Sequence, residues 1–397
     1  MPLLVVLALA CFVASLSLRV VDPMVPGIAR DLAASPELIA LLATAVAFPY
    51  ALSQPILGPL GDSVGKARVM KACLAVLTLS LLVCALAPNV EVLFAARIVS
   101  GIAGGGLIPV ALAVVGDRFP METRQVALSR VLAAMIVALL LGAVTSGVIA
   151  DAYGWRTVMA LATVLSAVSL IMTLRYLQPR ARAPAGRFSL GSIMTGYRAV
   201  FSNPRARICF SAVFIEGLLI FGFMPFVAIV LEARSAGGIR EAGFIIAGMG
   251  VGGLIYAGIV KRLLARLGGM FNLMRLGGMM TATGFVTVAF SGPWWPAAIG
   301  FVFIGFGFFS VHNSLQTQAT ELAPGHRGSA VSLHAFFFFM GQAVGVPIYG
   351  AMLGVTGVPV SLVAAAMILG AGGFLLAALL SRPLPEPPET AASGRAR

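Results

Sequence analysis

The chain has 397 residues, of which 59% are hydrophobic and only 10% are charged, and its formal net charge is +13. A soluble domain carries roughly 25% charged residues, so a water-soluble fold of this size is excluded. Apolar stretches of about 20 residues, each long enough to span a bilayer, recur from end to end. The sequence therefore predicts an all-α integral membrane protein, because a transmembrane barrel would show alternating segments of about ten residues.

Twelve apolar runs, separated by glycines, prolines and charges, predict twelve membrane-spanning helices, which we number span 1 to span 12. They are predicted at residues 3–25, 37–57, 69–87, 90–116, 126–150, 157–177, 206–230, 242–260, 273–291, 294–318, 329–354 and 357–380. The N-terminus lacks the basic segment and cleavage pattern of a signal peptide, so we interpret it as span 1. The predicted domains are a six-helix bundle at 1–178, a cytoplasmic linker at 179–205, a second six-helix bundle at 206–380 and a cytoplasmic tail at 381–397.

Lysines and arginines are distributed unequally between the loops on the two sides of the membrane. If the N-terminus is cytoplasmic, the outer loops hold only Arg30, Arg156, Arg234 and Arg240, and most of the 27 basic residues lie on the cytoplasmic side. This bias predicts that both termini are cytoplasmic. It also explains the positive net charge without a role in binding nucleic acid.

The expected partners are a small-molecule substrate and membrane lipids, with the protein acting as a monomer.

Two sequence features recur at nearly the same spacing. The glycines that end spans 5 and 11, Gly154 and Gly357, are 203 residues apart. An acid, a proline and an arginine follow span 4 and again span 10, with the prolines 204 residues apart: Asp117, Pro120 and Arg124, and Glu321, Pro324 and Arg327. These matches predict two pseudo-symmetric six-helix bundles with a site between them near the membrane midplane, which is a transporter architecture.

The stretch GPLGDSVGKAR between spans 2 and 3 resembles the signature G-x-x-x-D-R-x-G-R-[RK] of the major facilitator superfamily. RIVSGIAGGGLIPV in span 4 and YGWR before span 6 resemble further motifs of this family. The chain looks like the bacterial drug/metabolite efflux branch, although span 5 lacks the proline that antiporters often carry. The resemblance implies the twelve-helix fold and a conformational latch at the signature, with Asp117 as a partner for Lys66 or Arg68; the alternative is that these charges only mark topology. The latch residues would be Gly58, Asp62, Gly65, Lys66, Arg68 and Asp117.

Few ionisable side chains lie inside the predicted spans, where each costs about 2.5–3.5 kcal/mol and faces the bundle interior. Arg19 and Asp22 are predicted to share one face of span 1. They could form a pair that exchanges a proton or binds substrate; the alternatives are a salt bridge that closes the outer side and charges at the membrane interface. For Arg97 the resemblance implies a role in proton coupling, and the alternative is structural hydrogen bonding. Glu216, near the middle of span 7, suits a proton carrier; the alternative is a protonated carboxyl bonded to a backbone carbonyl.

Further candidates for the central cavity are polar and aromatic. His312 titrates in a useful range but could be a packing residue. The polar set is His312, Asn313 and Gln316 in span 10 and Gln342 in span 11. Phenylalanines form a candidate aromatic wall for an apolar ligand, unless they face lipid or core: Phe221, Phe223, Phe226 and Phe337. No metal site is expected, because the four cysteines have no CxxC or Cys/His spacing.

The predicted function is secondary active transport of a small amphipathic organic molecule by alternating access, as proton-coupled efflux without a cofactor. ATP is excluded as the energy source because the sequence lacks G-x-x-x-x-G-K-[ST]. One alternative is a metabolite uptake carrier or uniporter of the same fold. Another, from a different class, is a sensor or receptor on a transporter scaffold. An enzyme is not expected, because the three histidines are scattered and none lies near an acid at usable spacing.

Overall fold

A computed structural model describes residues 2–178 and 190–382. Throughout these two ranges the chain is helical and has no strands. The same residues contain 11 helical stretches that are long and apolar enough to cross a membrane: Leu3–Asp31, Pro36–Leu57, Ser63–Leu86, Val90–Arg118, Val126–Tyr153, Trp155–Tyr176, Arg205–Ala233, Ile239–Leu267, Met270–Phe290, Trp294–Glu321 and Pro324–Leu380. The first ten correspond to spans 1 to 10.

The last stretch contains both span 11 and span 12. Its 57 residues would be about 85 Å long as one helix, whereas the hydrocarbon core is about 30 Å thick. Gly357 interrupts it with φ 76° and ψ 170°, a conformation that glycine adopts readily and other residues do not. The twelve predicted spans are therefore present in the described residues, and the all-α membrane fold is confirmed.

Spans 1 and 7 are interrupted helices, which the sequence-based boundaries missed. Span 1 consists of the helix Pro2–Arg19, a 3₁₀ turn at Asp22–Met24 and a short helix at Val25–Asp31. Span 7 consists of the helix Arg205–Glu216, a π-helical turn at Gly217–Phe221, a 3₁₀ turn at Met224–Phe226 and a short helix at Val227–Ala233. Each 3₁₀ turn contains a proline, which has no backbone N–H for a helical hydrogen bond.

The interruptions occur at equivalent places in the two halves of the chain. The 3₁₀ turns begin 202 residues apart, at Asp22 and Met224. Gly154 and Gly357, 203 residues apart, have φ values of 81° and 76°. The structure thus has two pseudo-symmetric six-helix bundles, the N-terminal half (spans 1–6) and the C-terminal half (spans 7–12). They pack against each other through spans 2 and 11 and through spans 5 and 8.

The connection between the halves contains a helix that the sequence did not predict, because this segment is rich in Pro, Gly and Arg. Leu190–Phe201 is helical, Val200 is buried, and the Tyr197 hydroxyl donates to the Pro55 carbonyl at 3.4 Å. Residues 179–189 of the predicted linker and 383–397 of the predicted tail lie outside the described residues. The domain boundaries remain predictions.

Candidate functional site

Three charged side chains are buried together where the helix of span 1 is interrupted. Asp22 is 0% exposed, and Arg19, at the end of the preceding helix, is 6% exposed. Arg19 Nη1 lies 3.6 Å from Asp22 Oδ2. Arg97 of span 4 is fully buried and donates from Nη1 to the Ser17 carbonyl at 2.7 Å. All three side chains are therefore enclosed by other protein residues.

Arg19 also connects the N-terminal half to the C-terminal half. Its Nη2 donates to Gln342 Oε1 of span 11 at 2.6 Å. Its guanidinium carbon lies 4.2 Å from the centre of the Phe221 ring in span 7. A cation–π contact of this kind is strongest where water is excluded. The interaction of Arg19 with its neighbours therefore depends on how the two halves are placed.

Glu216 and His312 form a second buried pair, between spans 7 and 10. His312 Nδ1 lies 3.0 Å from Glu216 Oε2, and the side chains are 16% and 5% exposed. Span 7 leaves α-helical geometry directly after Glu216, in the π-helical turn, and such turns are frequent at functional sites. The expectation that no histidine lies near an acid was wrong, because helix packing brings together residues 96 positions apart. The carboxyl also has an imidazole partner, instead of the backbone carbonyl that the sequence allowed.

Aromatic rings surround the Glu216–His312 pair. The ring centres of Phe308 and Phe338 lie 4.7 and 4.9 Å from that of His312. Phe221 lies 5.0 Å from Phe308 and 5.1 Å from Phe338. His334, which is 2% exposed, lies 4.9 Å from His312. The sequence identified Phe221 but not Phe308, because nothing distinguishes Phe308 from the other phenylalanines of span 10.

The other predicted wall residues lie away from this pair. Phe223 is buried against Tyr349, with ring centres 5.4 Å apart, and Phe226 is buried in the outer part of span 7. Phe337 stacks on Phe210 at 5.1 Å, near the beginning of span 7. These three side chains pack spans 7 and 11 in the described structure.

The predicted polar residues divide into buried and exposed ones. Gln342 is fully buried and holds Arg19. Gln54 of span 2 donates to the Gly105 carbonyl at 3.1 Å within the N-terminal half. Asn313 is partly exposed and Gln316 is exposed, one turn of span 10 beyond His312.

Comparison with known proteins assigns the family. The sequence profile of the Major Facilitator Superfamily matches residues 7–345. The chain belongs to the Major Facilitator Superfamily. Because this family consists of transporters, the protein is a multi-pass membrane transporter for a small-molecule substrate in a lipid environment, and not an enzyme.

Relatives and solved structures of the Major Facilitator Superfamily match nearly the whole chain. The uncharacterized MFS-type transporter YwfA of Bacillus subtilis (strain 168) is 24% identical over 362 residues, 89% of this chain and 85% of YwfA. Multidrug resistance protein 1 of the same organism is 22% identical over 350 residues, 88% of this chain and 89% of that protein. The structure of a D-xylose-proton symporter aligns with a TM-score of 0.77 at 14% identity, over 97% of this chain and 98% of the symporter. The structure of the human organic anion transporter MFSD10 (TETRAN) aligns with a TM-score of 0.74 at 16% identity, over 94% of this chain and 99% of that transporter. Both alignments show the Major Facilitator Superfamily fold alone.

The Major Facilitator Superfamily signature lies at the end of span 2. Gly58 is in the helix Pro36–Leu60, and Asp62 is in the π-helical turn Gly61–Gly65, although the Asp62 side chain lies outside the described part of the structure. Gly65, with φ 111°, reverses the chain into span 3. The predicted ion pair is present: Lys66 Nζ lies 2.7 Å from Asp117 Oδ2 at the end of span 4. Arg68 is exposed. The role of these residues as a conformational latch stays a prediction.

We expect Asp117→Asn to lower the transport rate several-fold with little effect on folding. The Lys66 and Asp117 side chains are 20% and 50% exposed, and such a pair contributes about 0–1 kcal/mol to stability. A latch controls how fast the protein exchanges between its inward-facing and outward-facing conformations, so the loss of the latch changes the transport rate. The measurement is initial transport rate together with thermal stability. Lys66→Ala combined with Asp117→Ala should cost no more than either change alone, and fully additive losses would contradict a latch made by this pair.

The YGWR motif joins spans 1 and 6 on the side predicted to be extracellular, here called the outer side. Trp155 Nε1 donates to Asp31 Oδ2 at 3.0 Å, and Arg156 forms an ion pair with the same carboxylate. The second guanidinium nitrogen of Arg156 donates to the Ala87 carbonyl at 3.0 Å. The motif therefore holds the outer ends of the N-terminal half together.

The two halves of this Major Facilitator Superfamily chain are in contact on the outer side. Arg30 Nη1 lies 3.0 Å from both carboxylate oxygens of Glu232, which pairs span 1 with span 7. Spans 5 and 8 approach closely at Gly147 and Gly243. A Cβ on Gly243 would lie 2.5 Å from the Ala143 carbonyl oxygen and 3.0 Å from Gly147 Cα. Only glycine permits this approach.

Proposed function

We propose that this protein exports a small amphipathic organic molecule across the bacterial inner membrane in exchange for protons. It works as a monomer with both termini in the cytoplasm, and needs no cofactor. The family, the two pseudo-symmetric halves and the relatives support transport by alternating access. Efflux is supported by similarity to proteins such as Multidrug resistance protein 1 of Bacillus subtilis and the probable multidrug resistance protein EmrY of Escherichia coli.

The observation that carries the proposal is the buried Glu216–His312 pair. An ionisable group inside the membrane is costly and is retained mainly where it does chemical work. The Glu216 carboxyl lies directly before the π-helical turn of span 7, and the Phe221 ring within that turn contacts Arg19 of the other half. A proton on Glu216 removes the charge that faces His312. Protonation of Glu216 is thereby linked, through the π-helical turn that carries Phe221, to the contact between the halves.

The outer contacts between the halves support a state that is closed on the outer side. Arg30 with Glu232, and Gly147 with Gly243, close the outer side. In alternating access these contacts separate while contacts form on the cytoplasmic side. The Arg19 and Gln342 side chains also pair across the halves.

The experiment measures export from cells. We expect bacteria that express the protein to retain less of at least one compound from a panel of fluorescent lipophilic molecules and labelled metabolites than cells with an empty vector. A protonophore should abolish the difference, because it removes the driving force. Greater retention in expressing cells would contradict efflux and favour the uptake carrier. A difference that survives the protonophore would contradict proton coupling and favour a uniporter.

A further inference from the structure

Hydrogen-bond donors outnumber acceptors at the contact between the halves. Five buried donor atoms of four residues at or beside this contact have no hydrogen-bond partner among the described residues: Arg19 Nη1, Gln342 Nε2, the Tyr50 hydroxyl, and the Nε and Nη2 atoms of Arg97. Their residues are all less than one-tenth exposed. The unpartnered acceptors at this place are the two carboxylate oxygens of Asp22. A buried donor without an acceptor is destabilising, so this arrangement favours a ligand that brings acceptors.

Arg19 and Tyr50 lie at the two ends of one continuous group of aromatic rings. Arg19 lies over Phe221, and the ring centres of Phe221 and Phe338 are 5.1 Å apart. Phe338 lies 5.0 Å from Phe339, and Phe339 lies 4.4 Å from Tyr50. The rings come from spans 2, 7 and 11, so the group has walls from both halves. The site therefore combines polar donors with an apolar surface.

The charged side chains beside these donors have a net positive charge. Arg19 pairs with Asp22, and Arg97 is buried against the Ser17 carbonyl of the same span, so two arginines stand against one acid in this part of the described structure. Glu216 pairs with His312 instead. An uncompensated buried charge is unfavourable, and a guanidinium fits the two oxygens of a carboxylate. A bound organic cation would add to the excess, whereas a monoanion would cancel it.

We propose that the substrate is an amphipathic organic acid. Its carboxylate binds to Arg19 Nη1, Gln342 Nε2 and the Tyr50 hydroxyl, and its apolar body lies against Phe221 and Phe338. This inference rests on the proposed transport function and narrows the substrate class of the same site.

The test uses three probes that share one apolar body and differ in the head group: 4-phenylbutyrate, 4-phenylbutanol and 4-phenylbutyltrimethylammonium. Binding to the purified full-length protein is measured by ligand-induced thermal stabilisation and by calorimetry. We expect the carboxylate to bind at least tenfold more tightly than the alcohol and the cation. Arg19→Gln should abolish this preference and Arg19→Lys should retain part of it. Arg327→Gln, which removes an exposed arginine paired with Glu321 at the cytoplasmic end, should retain all of it.

A second variant provides a test of the inference even if Arg19→Gln misfolds. Tyr50→Phe keeps the ring that contacts Phe339 and removes only the hydroxyl, and it should weaken carboxylate binding several-fold while leaving alcohol binding unchanged. Equal binding of the three probes, a preference for the cation, or no binding of the carboxylate would each overturn the inference. Counterflow of the cation or the alcohol through the same protein in liposomes would overturn it while leaving the transport function intact.

Discussion

Replacing Glu216 with glutamine is expected to reduce proton-driven substrate accumulation to the level of liposomes without protein. Glutamine has nearly the same shape and can still hydrogen-bond to His312, but it cannot release a proton. The carboxyl lies 3.0 Å from His312 and is 5% exposed. Exchange of labelled for unlabelled substrate should continue, because exchange needs substrate binding and movement of the halves but no net proton transfer. Both quantities are measured on the same reconstituted sample.

Glu321→Gln is the matched control for this variant. Glu321 is 61% exposed and pairs with Arg327 at the cytoplasmic end of span 10, so its neutralisation should leave accumulation and exchange unchanged. If Glu216→Gln accumulated substrate normally, Glu216 would not carry the proton. If it lost exchange together with accumulation while remaining folded, the carboxyl would serve substrate binding or structure.

Replacing Gly243 with valine is expected to open the outer side and slow transport. The new side chain would collide with the Ala143 carbonyl oxygen and with Gly147 on the other half. Overpacking of this kind costs about 1–3 kcal/mol, which shifts a two-state equilibrium by about 5- to 150-fold. Because the collision exists only when the outer side is closed, the shift favours the outward-facing state.

The measurement is the distance between spin labels on the outer ends of the two halves. Tyr153 and Phe290 are 76% and 69% exposed, and the native cysteines in the described structure are buried, which favours selective labelling at these positions. Gly243→Val should lengthen this distance and lower the transport rate by at least about fivefold. Gly258→Val, in the same helix, meets no atom within 4 Å and should change neither. An unchanged distance in Gly243→Val would contradict the proposed outer closure.

The fold was predictable because hydrophobic length is a direct physical requirement of the bilayer. Apolar runs had to be near 20 residues to cross it, and loop charge and the 203-residue spacing of Gly154 and Gly357 gave the plan of two halves. The interruptions of spans 1 and 7 were missed. Pro23 and Pro225 marked them in the sequence, but each lies in an apolar run that is long enough to be one helix.

The site was predictable only where the partners were close in sequence or belonged to a motif. Arg19 and Asp22 are three residues apart in the sequence, a spacing that predicted their contact, although the helix ends at Arg19 and Asp22 lies in the 3₁₀ turn that follows. The Lys66–Asp117 ion pair followed from the family signature. Glu216 and His312 were each candidates, but their contact depends on how spans 7 and 10 pack, and no spacing rule connects residues 96 positions apart.

Proton movement through the purified protein tests the central claim most directly. The protein is placed in liposomes that contain a pH-sensitive dye, and an outward gradient of a transported compound is imposed. We predict a change in internal pH that requires the compound, reverses when the gradient is reversed, and is absent in Glu216→Gln. Movement of the compound without any pH change would contradict proton coupling and identify the protein as a facilitator.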